Sequence, residues 1–154
     1  MFTGMLHLHS FLRWVILLLL VIAIVKSITG IAGNKPFSNG DRKVGLFLMI
    51  SCDIMLLIGL YLWFMGGNGL ELIRAKGMGE IMGEARYRFF AVEHLISMVI
   101  AISLVHVGRG FAKKNIADGI KHRRTLLFFV LALLVILITI PWPFREVGAG
   151  RGWF

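Results

Sequence analysis

The sequence predicts an all-α membrane protein, a four-transmembrane-helix up-down bundle with both termini on the outer (periplasmic) side. Three observations carry that expectation. The 154 residues are 58% hydrophobic and only 16% charged, with a mean hydropathy of +0.83, well above the composition of a soluble domain. The apolar residues fall into four blocks, each reaching, with its flanks, the roughly 20 residues that a helix needs to cross a bilayer. The basic residues concentrate in two connections on one side of those blocks. Length and spacing fit one domain over residues 1–154.

The first block, Val15–Val25, contains no polar side chain, and its span is placed at about 5–29. No basic region precedes it and no small-residue cleavage site follows, so it reads as a retained helix rather than a secretory signal. The connection Gly30–Arg42, "GIAGNKPFSNGDR", is rich in Gly, Asn and Pro and reads as a turn. The second span covers 44–65 and carries the single cysteine, Cys52, so the chain can form no internal disulfide and no C-x-x-C-H haem attachment. Cys52 reads as a small packing residue. The connection Gly66–Tyr87 holds Leu70, Leu72, Ile73, Ile81 and Met82, which suit a short amphipathic segment at the interface. Its six glycines suit a mobile cap over the bundle mouth equally well. The third span covers 87–110. The fourth, 122–142, stops at "IPWPF", where Pro141 and Pro143 cannot continue a helix.

Orientation follows from the charges. Lys26, Lys35, Arg42, Lys43, Arg109, Lys113, Lys114, Lys121, Arg123 and Arg124 lie on one side, ten of the 17 basic residues. The positive-inside rule places that side in the cytoplasm and the termini outside. The net charge of +9 is therefore a topology signal with anionic-lipid contacts, and nucleic acid is not an expected partner. The bacterial inner membrane is the expected location. Trp14, Trp63, Trp142 and Trp153 gather at the outer ends and read as interfacial anchors, with partner docking as the second reading.

Ionisable groups inside spans are functional hypotheses by default. His9 and Arg13 are four residues apart and share a helix face. His9 and His94 sit at matched depth, roughly 10 Å inside the outer ends of their spans. Two neutral imidazoles so placed can hold a haem b iron as axial ligands. Met98, Ala101, Val105 and Gly108 follow His94 at helical spacing, leaving room for a flat ligand or permitting close helix packing. Arg13 suits a haem propionate; it suits an ion pair with Glu93 equally well. His106 is off the His94 face by about 120° and can approach His122, where a second haem is the functional reading and basic surface the plain one. Asp53 is too deep to reach solvent: it is protonated, paired, or part of a proton path that includes Glu93. No nucleophile–base set or phosphate loop is apparent, so independent catalysis is not expected.

The stretches "HSFLRW" (His9–Trp14), "RFFAVEH" (Arg88–His94), "KHRR" (Lys121–Arg124) and "IPWPF" (Ile140–Phe144) give the chain a resemblance to a family of small four-span bacterial membrane proteins commonly labelled "cytochrome B". The resemblance covers nearly the whole chain. It implies non-covalent haem b and electron transfer, and points at His9, Arg13, Glu93, His94 and His122. The family's second span tends to carry a histidine where this chain has Asp53, and His106 lies outside the shared pattern. The leading expectation is thus one haem between His9 and His94, exchanging electrons with a quinone pool or a partner complex. The alternatives are a cofactor-free structural subunit among other membrane subunits, and a proton or ion relay through Arg13, Asp53 and Glu93.

Overall fold

Six α-helices carry the chain in the computed structural model, which describes residues 1–150. They are α1 (Phe2–Ala32), α2 (Asn39–Met65), α3 (Leu70–Gly83), α4 (Ala85–Arg88), α5 (His94–Gly110) and α6 (Asp118–Thr139). One π-helical turn, Phe89–Glu93, joins α4 to α5. Four stretches are long and apolar enough to cross a membrane: Phe2–Ala32, Asn39–Met65, Ala85–Lys113 and Asp118–Thr139. The chain is therefore a multi-pass membrane protein. Helix α1 packs against α2 and α6, and α5 packs against the same two, which closes a four-helix ring.

Polar residues decide where each helix begins and ends. After α1, Asn34 adopts a left-handed conformation (φ 48°) and Lys35 N–H returns to the Gly30 carbonyl at 3.0 Å. Asn tolerates that conformation better than other side chains, and Pro36 prevents the helix from resuming. Helix α2 opens with a reciprocal capping box between Ser38 and Asp41. Lys26 of α1 reaches Asp41 at 3.1 Å, so the cap also locks the first hairpin.

The far end of α6 solves a problem set by proline. In a continuing helix the N–H of residue 141 would bond the Leu137 carbonyl, and Pro141 has no N–H. The Trp142 indole Nε1 donates to that same carbonyl at 2.9 Å. Arg145 donates to the carbonyls of Ile138 and, at 3.2 Å, Ile140. "IPWPFR" is thus a stop signal that supplies its own cap. Trp142 is more than an interfacial anchor; the Trp153 expectation lies outside the described residues.

The core runs along the bundle axis through Leu20, Leu48, Cys52, Ala101, Val105 and Phe129. Cys52 is a packing residue there. The connection after α2 is helical, as its apolar spacing suggested, but α3 breaks at Gly77, whose φ is +76°. Only Ile81 of α3 is buried. An ion pair between Lys76 and Glu80 spans the break at Gly77, and the Glu80 carboxylate holds the Lys76 ammonium above its usual range.

Candidate functional site

At the end of the bundle where α1 begins and α6 ends, the four spanning helices line an open cavity of about 440 Å³. That is within the range of small-molecule sites. Helix α1 lines it with His9 and Arg13, α2 with Gly59 and Trp63, and α5 with His94 and Met98. The polar residues converge on an otherwise apolar wall, as sites for largely apolar ligands do.

His9 and His94 face each other across this space with ring centroids 6.3 Å apart and planes tilted by 58°. Two imidazoles bound on opposite sides of one metal at about 2.0 Å each have centroids roughly 6 Å apart. His9 has a buried Nδ1 with no hydrogen-bond partner among the described residues. A buried ring nitrogen without a partner costs free energy unless something meets it. The ring fits where it does because α2 presents a glycine: a Cβ on Gly59 would lie 3.3 Å from His9 Cε1. His94 turns Nδ1 toward the Thr139 carbonyl oxygen at 3.3 Å. A backbone acceptor of that kind sets the rotation of a metal-binding imidazole.

The third span reaches His94 through the π-turn Phe89–Glu93. Such turns occur mostly as single insertions in α-helices and often at functional sites. The extra residue rotates α5 relative to α4. The Trp63 Nε1 donates to the Ala91 carbonyl inside the turn at 2.9 Å, which ties α2 to it. Phe89 is buried, its ring centroid 5.8 Å from that of His94 and 5.6 Å from the Arg145 guanidinium carbon. Trp63, Gly59, Phe89 and Thr139 were not apparent as site residues from the sequence. The one available signal was Gly59, isolated in an apolar run where a close approach is the usual reason for glycine.

Arg13 lines the cavity beside His9, one helical turn away, with its guanidinium 5.4 Å from the Trp14 ring centroid. Glu93 is elsewhere: its carboxylate accepts from Arg88 Nε at 2.6 Å, and it does not line the cavity. The anticipated Arg13–Glu93 pair therefore gives way to an Arg88–Glu93 pair, because the π-turn rotates Glu93 away from the bundle interior. The Arg88 guanidinium also donates to the Met82 carbonyl at 2.9 Å.

The remaining ionisable groups lie apart from this site and from one another. His106 of α5 bonds Asp53 of α2 at 2.7 Å. His122 of α6 is 1% exposed, packed under Gly30 and 4.8 Å from the Phe37 ring, and neither of its nitrogens has a partner among the described residues. His106 and His122 face different neighbours, so the structure does not assemble the second two-histidine site considered above. Asp53 and Glu93 are not neighbours: thirteen residues of the third span, roughly 20 Å, separate Glu93 from the His106 that holds Asp53.

Comparison with family models, curated proteins and solved structures finds no match. The chemistry therefore rests on the site itself. Among the described residues, no cluster of three or more His, Cys, Asp or Glu could hold a metal ion. A bare ion such as zinc takes three or four protein ligands. A two-histidine pair instead suits a metal that brings its equatorial ligands with it. The residues present fit a haem on these grounds: two facing imidazoles, one with an orphaned nitrogen, in an apolar cavity with a guanidinium at its side.

Proposed function

We propose that this chain is a cytochrome b-like membrane protein holding one non-covalent haem b between His9 and His94. The observation that carries the reading is the facing of these two rings at 6.3 Å across an apolar cavity that Arg13 also lines. The resemblance to the family labelled "cytochrome B" points the same way. The basic excess at the end formed by the Gly30–Arg42 turn and the α5–α6 connection supports placing that end in the cytoplasm. The site would then lie near the outer leaflet of a bacterial inner membrane.

Each residue has a separate task. His9 and His94 would hold the iron, and the Thr139 carbonyl fixes the rotation of the His94 ring. Arg13 pairs with a carboxylate of the bound molecule through its planar fork of donors. Gly59, Met98 and Ala101 leave room for a flat ring. A bound haem would supply one-electron chemistry. The role is electron transfer to or from a quinone pool or a partner complex, rather than independent catalysis.

Titration of the purified protein with haem in detergent tests this. Wild type should develop a Soret band that saturates at one haem per chain, and His9→Ala and His94→Ala should each weaken binding and change the spectrum. A band that forms equally well in His94→Ala overturns the reading. A second reading, a cofactor-free subunit of a larger assembly, is favoured by one observation, the polar Asp53–His106 pair on the outside of the bundle. Purification with a stoichiometric second protein and no haem would favour it.

A further inference from the structure

Asp53 and His106 form a bond between α2 and α5 on the outward face of the bundle. Their side chains are each 44% exposed. Asp53 lies ten residues inside Lys43, and His106 seven inside Lys113, so the pair is roughly 10–15 Å from the basic end of its helices. That depth is within the hydrocarbon of a bilayer about 30 Å thick. Around the pair the outward surface is apolar: Ile50 and Leu57 on α2, Val99 and Val107 on α5, all exposed. Ser103, one turn from His106, is exposed and bonds back to Val99.

The bond satisfies only half of each group. Asp53 Oδ1 and His106 Nε2 share one proton between them; with the second imidazole proton on Nδ1, an Oδ2 acceptor and an Nδ1–H donor are left without partners among the described residues. Lipid tails can supply none. Polar side chains on the lipid face of a helix commonly serve as contacts between helices. What remains on this patch is one donor and one acceptor side by side, which is self-complementary. A two-fold axis beside the pair would set Nδ1–H of each His106 toward Oδ2 of the other copy's Asp53, as in any isologous contact. A partner offering a single sign of charge would leave one of the two groups unsatisfied.

We propose that the α2–α5 face carrying Asp53 and His106 is the interface with a second copy of this chain, closed by a four-membered Asp–His network at its centre. The inference is independent of whether haem is bound. Its test is the mass of the detergent-solubilised protein together with cysteine cross-linking in native membranes. Wild type should be a dimer, and D53L/H106L should weaken dimerisation roughly tenfold or more while keeping its helical circular dichroism. Under mild oxidation Leu57→Cys should give a disulfide-linked dimer, and Leu18→Cys, on the outward face of α1, should not. The cross-linking arm reads the interface in a chain with the pair intact, so it holds even if the double variant misfolds. A wild-type monomer, a dimer indifferent to the double substitution, cross-linking through Leu18→Cys but not Leu57→Cys, or a different protein covering Leu57 would each overturn the proposal.

Discussion

The Trp63 indole donates to the Ala91 carbonyl at 2.9 Å, so a side chain of the second span holds the π-turn that aims His94 in the third. Trp63→Phe keeps an aromatic ring against Phe64 and removes the donor. The substitution removes one part-buried hydrogen bond to the Ala91 carbonyl, at a cost of about 0.5–1.5 kcal/mol. The expected result is a lower thermal midpoint in detergent and weaker haem binding, both measured on the same preparation. Unchanged haem affinity in Trp63→Phe would show that the turn does not position His94.

The contrast between what the sequence made legible and what it hid has a physical pattern. Four spans were legible because bilayer crossing demands about 20 apolar residues in a row. The stop at Pro141 was legible because a missing N–H ends a helix whatever surrounds it. The matched height of His9 and His94 was legible because helical rise converts residue number into height, while the meeting of the two rings came from packing. The partners of Glu93 were not. One residue inserted as a π-turn rotates everything after it, and no periodicity in "RFFAVEH" announces that insertion. The Asp53–His106 bond was hidden for a related reason: depth was readable for each residue, but which helix faces which depends on packing.

At the end of α6, Trp142 replaces the hydrogen bond that Pro141 cannot make to Leu137. Trp142→Phe should therefore destabilise the protein by about 1 kcal/mol, seen as earlier exchange of the last-turn amides of α6. Since the bond repairs the proline, Pro141→Ala should make the indole dispensable. In that background Trp142→Phe should cost measurably less.

Gly30 and His122 depend on each other. A Cβ at Gly30 would meet the buried His122 ring, so Gly30→Ala should destabilise by about 1–3 kcal/mol through overpacking. His122→Ala removes the obstruction while leaving a cavity. The double variant should be less destabilised than the two single effects added together, with a coupling of about 0.5–3 kcal/mol in denaturant or thermal unfolding. Simple additivity would place the ring elsewhere.

Arg13 is assigned to a carboxylate of the bound cofactor, and that assignment separates charge from shape. Arg13→Leu should weaken haem binding by about 1.5–3 kcal/mol, the range of a charge-assisted hydrogen bond. Binding of the haem dimethyl ester, which has no carboxylate, should change little. Equal losses for both molecules would make Arg13 a wall of the cavity rather than a partner of the propionate.

The facing pair itself is tested most directly by absorption spectra of the detergent-solubilised protein, oxidised and then reduced, as purified from cells supplied with haem. Wild type should show a Soret band and, on reduction, the sharp visible bands of a low-spin iron held by two imidazoles. His94→Ala should lose that low-spin signature. A haem-replete preparation with no Soret band, or a low-spin spectrum that survives His94→Ala unchanged, would contradict a haem held between His9 and His94.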